Sequence, residues 1–257
     1  MRLLTGLLRP SLAKPASRPL PGRPLAVVGD LHGRADLLEE LVAEIAGRGG
    51  TDRTLVFVGD HVDRGEDSAG VLRLLLALQG GGWPAGVICL KGNHEAMMLG
   101  FLDAPEEAGP GWLRHGGAQT LASFGIRPPD PGSAPALTEA RDALQSALPA
   151  GTEAWLRALP ASHRSGNLLV AHAGANPHAA AEAQTEEDLL WGHPEFLDTP
   201  RDDGLWVAHG HTICAQPSAA AGRIAVDTGA YATHRLTAAL ICDETCRFLS
   251  TREGGGG

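Results

Sequence analysis

Gly59-Asp60-His61-Val62-Asp63-Arg64-Gly65 sets two carboxylates and a guanidinium between two glycines. The apolar run Thr54-Leu55-Val56-Phe57-Val58 leads into it. Charges delivered by a buried strand are costly unless counter-charges meet them. A metal ion at the carboxylates and a phosphate at the arginine would supply both. Five more stretches repeat the pattern of an apolar run ending in polar residues with a glycine. Residues 25–28 lead to Gly29-Asp30-Leu31-His32-Gly33, and 87–90 to Lys91-Gly92-Asn93-His94-Glu95. Residues 168–171 lead to His172-Ala173-Gly174, 205–208 to His209-Gly210-His211-Thr212, and 223–226 to Asp227-Thr228-Gly229.

Ligands of α/β folds gather outside the carboxyl ends of the strands, where glycine lets the backbone turn and approach closely. Six such endings predict one polar site assembled from distant segments. Its ligand set is Asp30, His32, Asp60, Asn93, His172 and His211. Oxygen and imidazole donors without a thiolate suit Mn, Fe or Zn and disfavour copper or iron–sulfur sites. Six ligands exceed one catalytic ion with an open position, but fit two ions roughly 3.5–4 Å apart bridged by a carboxylate. Asp60 is the expected bridge. Two divalent ions outweigh Asp30, Asp60 and a bridging hydroxide, so the site would stay positive and attract a phosphoryl dianion together with Arg64. The expected reaction is attack by that hydroxide, with His94 as general acid poised by Asp63.

The elements that must position these residues can be read from periodicity. A helix is predicted over 34–46 with Leu37, Leu38, Leu41, Val42 and Ile45 on one face. Asp67 and Ser68 offer caps for a second helix through Leu78, and a third starts near Asn93. Residues 100–160 read as a helical and loop insertion with helices at about 136–147 and 152–159. Pro128 to Pro135 is its most loop-like part. The insertion is assigned to covering the site. A last strand is predicted over Thr237–Cys242.

Composition bounds the rest. The chain has 257 residues, enough for one large domain, and its 43% hydrophobic content disfavours disorder. The formal charge of −9 argues against nonspecific nucleic-acid binding. No apolar run approaches the roughly 18–20 residues of a membrane span. The four cysteines lack zinc-site spacing and read as free thiols in a reducing cytosol, so a cytoplasmic location is expected. Residues 1–24 form a basic, proline-rich tail without a secretory h-region. The domain is expected over 25–250, with a glycine-rich tail over 251–257.

At these residues the chain resembles the calcineurin-like metallophosphoesterases, in particular the bacterial branch of the phosphoprotein (serine/threonine) phosphatases. The motifs GDxHG, GDxVDRG and GNHE stand at 29–33, 59–65 and 92–95, followed by HAG at 172–174 and GHT at 210–212. The resemblance implies an α/β fold of two packed mixed β-sheets flanked by helices. It implies Asp30, His32 and Asp60 on one metal, and Asp60, Asn93, His172 and His211 on the other, with manganese the first choice. It also implies His94 as acid, Asp63 as its partner and Arg64 on phosphate. One departure concerns the Trp-x-Arg of this branch, which here is Trp191-Gly192-His193. A histidine cannot make a bidentate phosphate contact, so His193 is the expected, weaker substitute. Tyr231 is placed either in the phosphate pocket or in packing.

The expected substrates are phosphoserine and phosphothreonine in proteins, or a small phosphoester. Diadenosine tetraphosphatases share the fold and are the alternative, but carry Ala and Asp where Asp63 and Glu95 stand here. A noncatalytic phosphoprotein-binding module is the third reading. Bland roles are assigned elsewhere. Glu95 supports the site, His209 neighbours it, and Lys91 is a strand-end charge. His61, His115, His163, His178 and His234 belong to surface or packing. Arg64 could instead pair with Asp63 or Glu66.

Overall fold

The computed structural model describes residues 18–251. Its ten strands form two mixed five-stranded sheets. β1 (Leu25–Val28), β2 (Thr54–Phe57) and β3 (Val87–Cys89) run parallel, with α1 (Ala35–Gly47) and α2 (Ser68–Ala77) between them. α3 (Asn93–Asp103) follows β3 and leads into the expected insertion, which holds α4 (Pro105–Trp112), α5 (Ala118–Ser123), α6 (Ala134–Ala147) and α7 (Thr152–Arg157). The second sheet follows as β4 (Ser162–Ser165), β5 (Leu168–Ala171), β6 (Trp206–His209), β7 (Ser218–Ala220) and β8 (Arg223–Ala225), with α8 (Glu186–Trp191) after β5. The short α9 (Ala230–Thr233) then leads into β9 (Thr237–Cys242) and β10 (Thr245–Ser250), which return to the first sheet. The orders are β10-β9-β1-β2-β3 and β4-β5-β6-β8-β7.

The continuous apolar runs have a simple cause, since both faces of the central strands are covered. Leu25, Val27, Val56, Leu168, Val170 and Ala208 pack between the sheets. Ala26, Val28, Leu55 and Phe57 point the other way, against α1, α2 and the insertion helices. The alternating direction of side chains along a strand produces this division. Parallel pairing brings the carboxyl ends of β1, β2 and β3, and of β5, β6 and β8, to common edges.

Sequence expectation and structure differ in identifiable places. β4 is a polar edge strand and β7 is exposed throughout, so neither has an apolar run. The β9–β10 hairpin turns through Asp243 and Glu244 at φ 44° and 61° instead of the usual Asn-Gly. Helix α4 contains Gly109, Pro110 and Gly111, which argue against helix. Tertiary packing overrides this, because a Cβ at Gly109 would sit 2.8 Å from Leu137 Cδ2. Helix α6 begins at Ala134 with Pro135 in its first turn and Ser133 as cap, so the loop ends earlier than expected.

Residues 18–24, expected in the tail, contact the second sheet. Leu20 N donates to Asn167 Oδ1 at 2.6 Å and Gly22 N to Ser165 Oγ at 3.0 Å. The expectations for 1–17 and 252–257 lie outside the described residues. All four cysteines are free, with Cys89 buried and the others half-buried. No described helix is long and apolar enough to cross a membrane.

The two-sided core makes a contrast testable. Leu168→Ala, between the sheets, is expected to cost about 2–5 kcal/mol in urea unfolding. The half-exposed Leu197→Ala should stay within about 0.5 kcal/mol. Equal effects would contradict the inter-sheet core.

Candidate metal centre

The loops after β1 and β2 are stitched together through their backbones. Leu31 N and His32 N both donate to Asp60 O, and Gly33 N donates to His61 O. Glu95 fixes the second loop from α3. Its buried carboxylate accepts from the N–H groups of Asp60 at 2.9 Å, His61 at 2.7 Å and Gly92 at 2.8 Å, with Val62 at 3.3 Å. Four converging donors explain why a carboxylate is tolerated at zero exposure. Glu95 supports the site from behind, as its sequence position suggested.

The backbone is held in uncommon conformations here. His32, Asp60, Asp63, Arg64 and His211 all have positive φ, between 42° and 72°. Non-glycine residues reach this region at a cost, and such residues gather at functional sites. Two glycines allow the closest approaches. A Cβ at Gly92 would lie 2.2 Å from Asp60 Oδ1, and one at Gly210 would lie 1.9 Å from Asp30 Oδ1.

Asp60 is the centre of the cluster. Its Oδ2 faces His32 Nε2 at 3.4 Å and His94 Nε2 at 3.8 Å, and its Oδ1 faces His172 Nε2 at 3.3 Å. Its Oδ1 also accepts the N–H of His94. Asn93 Oδ1 lies 2.8 Å from His172 Nε2 and 3.1 Å from His211 Nδ1, and those two nitrogens are 3.2 Å apart. Two groups of donors therefore share Asp60: His32 and His94 on one side, His172 and His211 on the other. Asp30 stands outside these two groups. Both of its oxygens accept the N–H of His211, and Asp227 faces it.

The donor chemistry fits divalent ions. His32 Nδ1 donates to Val62 O at 2.9 Å, which leaves the Nε2 lone pair directed at the Asp60 side. Burial, then the charges of His94 and Arg64, hold His32 well below the ordinary imidazole range. Burial, then His211, does the same for His172, and burial with His94 lowers His211. Neutral imidazoles are the ligating form. The carboxyls move the opposite way. Burial pushes Asp60 up to about 8, and burial followed by Asp227 and Asp60 raises Asp30. The protein's own cations do not balance these carboxylates, and a divalent ion would reverse the imbalance. Among the described residues His172 Nδ1 is buried without a partner, so this ring departs from the usual anchored metal-ligand histidine.

Asp63 faces a different environment. Its carboxylate accepts from Thr120 Oγ1 at 2.7 Å and from Trp112 Nε1 at 2.9 Å and 3.1 Å. Its backbone N–H donates to Ser68 Oγ and Thr120 Oγ1. His94 Nδ1 donates to Asp63 Oδ2 at 2.7 Å, which leaves Nε2 as the nitrogen facing the cluster. Burial opposes charge on His94, but the Asp63 hydrogen bond and the charges of Asp60 and Asp63 outweigh it and raise its pKa. Sequence reading missed Trp112 and Thr120, which lie in the insertion assigned only to cover. No motif spacing ties them to Asp63; only the fold brings α4 and α5 to it.

Arg64 donates from Nη1 to His32 Nε2 at 3.2 Å, and its guanidinium lies 5.0 Å from the centre of the Tyr231 ring. Among the described residues it forms no ion pair with Asp63 or Glu66. Tyr231 also stands edge-on to His32 at 5.3 Å, so it borders the cluster. His193 Nδ1 accepts the N–H of Glu195, and its ring lies edge-on to His178 at 6.4 Å. Lys91 pairs with Glu186, and His209 packs edge-on to Phe196. His61 is fully buried, with Nε2 3.0 Å from Leu90 O.

Metal binding has a readout independent of activity. Manganese at a hundredfold excess over its Kd should stabilise metal-stripped protein by about 2.7 kcal/mol, seen as a rise in Tm. Asp60→Asn and His172→Asn should lose that increment. A wild type whose Tm ignores Mn, Zn and Fe would contradict the site.

Comparison with known proteins agrees with the geometry. An asymmetrical bis(5'-nucleosyl)-tetraphosphatase of Bacillus velezensis is 28% identical over 234 residues, 82% of this chain and 86% of its own length. Serine/threonine-protein phosphatase 2 of Escherichia coli is 40% identical over 95 residues, 37% of this chain and 39% of that one. A solved structure of a candidate diadenosine tetraphosphatase superposes with a TM-score of 0.62 at 24% identity, covering 93% of this chain and 100% of the other. The profile of the calcineurin-like phosphoesterases matches residues 23–215, a span that includes every residue of the cluster from Asp30 to His211. The chain belongs to the calcineurin-like phosphoesterase family.

Proposed function

We propose that this phosphoesterase hydrolyses phosphomonoesters with strongly basic leaving groups, in particular phosphoserine and phosphothreonine in proteins. The observation that carries this reading is the Asp63–His94 pair at 2.7 Å, with Trp112 and Thr120 donating to the same carboxylate. An alkoxide departing from serine or threonine needs a proton as the bond breaks. A nucleoside di- or triphosphate is a far weaker base and needs little help. A buried carboxylate with two side-chain donors, directed at one histidine, is suited to the first task.

Asp30, His32 and Asp60 would hold one divalent ion, and Asp60, Asn93, His172 and His211 the other. Manganese is the first choice, with iron or zinc compatible with the donors. Bound there, the ions supply Lewis acidity toward the phosphoryl oxygens and make a water acidic enough to attack near neutral pH. The chain's own residues do the rest. Arg64 holds a phosphoryl oxygen, with Tyr231 packed under its guanidinium. His94 carries the proton on Nε2 toward the leaving oxygen. Asp63 fixes the ring so that Nδ1 stays protonated and the imidazolium is favoured. With His193 turned toward Glu195, Arg64 is the main phosphate-binding cation of this reading.

A second reading has its own support. The relative matched over most of this chain is named a bis(5'-nucleosyl)-tetraphosphatase, whereas the match to the serine/threonine phosphatase covers 37% of it. Release of phosphate from phosphopeptides against release of nucleotide from diadenosine tetraphosphate separates the two.

His94→Asn should slow phosphoserine peptide hydrolysis by about 10²–10⁴-fold, and 4-nitrophenyl phosphate hydrolysis far less. Equal losses on both, with a weaker affinity for Mn, would make His94 a ligand instead. A separate expectation concerns pH. The raised pKa keeps His94 protonated to higher pH, and the rate falls as pH rises through it. Asp63→Asn removes a raising influence, so the alkaline limb of kcat/KM should move to lower pH. An unmoved limb would exclude His94 as the acid.

A further inference from the structure

Arg64 and Tyr231 stand between two clefts of opposite character. The first, of about 570 Å³, is lined by residues 33–36, 64–67, Tyr231 and His234. Its other arginine is already committed. Arg34 donates from Nε and Nη2 to both oxygens of Asp36, and from Nη1 to Ala230 O. Glu66 and Asp67 add two further carboxylates to that lining. The second cleft, of about 500 Å³, is lined by Arg64, residues 113–116, Ala118, Gln119 and Tyr231. It includes Arg114 and His115, and no carboxylate lines it. Arg114 is exposed, and among the described residues it has no hydrogen-bond or ion-pair partner.

The basic cleft is held in register with the metal centre. Gly116 O accepts the N–H of Arg64 at 3.3 Å. Gly116 has φ 112°, and a Cβ there would lie 2.5 Å from Arg64 N. At the start of the same turn, Trp112 donates to Asp63. His115 is steadied through Nδ1, which donates to Gly111 O at 2.8 Å. Arg114 therefore stands on a turn tied at both ends to the Asp63-Arg64 loop, and lines a cleft that Asp36, Glu66 and Asp67 do not line.

We propose that this cleft receives a second phosphate of the substrate, carried near the one that is hydrolysed, with Arg114 as its principal cation. The inference rests on the phosphoester-hydrolase reading and adds a preference within it. An anion entering beside Arg64 is repelled by the carboxylate-lined cleft and drawn to the other. A guanidinium with all its donors free matches phosphate geometry, and Gln119 and His115 add polar partners. The second phosphate could belong to the polyphosphate chain of a dinucleotide or to a neighbouring phosphoserine of a peptide. Both present the same chemistry to Arg114.

The test compares KM for diadenosine tetraphosphate and a peptide with two adjacent phosphoserines against singly phosphorylated peptide and 4-nitrophenyl phosphate. Arg114→Gln should raise the KM ratio of multiply phosphorylated to single-phosphate substrates by roughly tenfold, and Arg114→Glu by more. The multiply phosphorylated substrate that shows the shift identifies the source of the second phosphate. An unchanged ratio for both substrates in both variants would overturn the subsite. Wild-type turnover of 4-nitrophenyl phosphate with manganese reports separately on the hydrolase reading, so the two can fail independently. Arg114 is exposed, and its replacement should leave folding intact, checked by an unaltered Tm.

Discussion

The Asp60 carboxylate is the constraint on which the site depends. It is 2% exposed, at the end of a buried strand, with histidines from three other segments facing its two oxygens. Desolvation makes a charge there expensive unless cations meet it, and burial holds the His32 and His172 imidazoles beside it neutral. The donor groups on the two sides of this one carboxylate are candidate cation sites. Much of the surrounding structure serves to keep Asp60 in place. Glu95 gathers the N–H groups of its loop, Gly92 clears the space beside its Oδ1, and the neighbouring strand ending donates to its carbonyl.

Asp63 lies in the same loop but under different control. Its hydrogen bonds to Trp112 and Thr120 come from the helices between β3 and β4. Those helices pack their apolar side against the first sheet through Leu121, Leu137 and Leu144. Core packing thus sets where Trp112 and Thr120 stand, and they set the carboxylate that orients His94. The Arg64 backbone leans on the same segment through Gly116. Asp63 and Arg64 are in this way held by one loop and the helices between β3 and β4, whereas the candidate metal ligands come from five strand endings.

The strand endings were legible because a both-faces-buried strand writes an unbroken apolar run, and a site writes Asp, His or Asn after it. Asp30, His32, Asp60, Asn93, His172 and His211 all follow strands, with Asp30 reached through the His211 N–H and outside the two donor groups that share Asp60. The support of Asp63 was not legible, because Trp112 and Thr120 lie 49 and 57 residues away with no local signal. For His193, position relative to a motif suggested a phosphate contact, and the turn after α8 sets the ring against Glu195 and His178. Edge strands β4 and β7 and the Asp243-Glu244 hairpin also escaped, since polar strands and turns without glycine lack the usual signals.

The central claim is that Asp60 joins two metal ions while His94 remains free to carry a proton. Anomalous scattering from crystals grown with manganese tests it most directly. The account predicts two peaks per chain, both within bonding distance of Asp60, one also at His32 and the other at His172 and His211, with His94 Nε2 bonded to neither. A single peak, or one bonded to His94 Nε2, would contradict it.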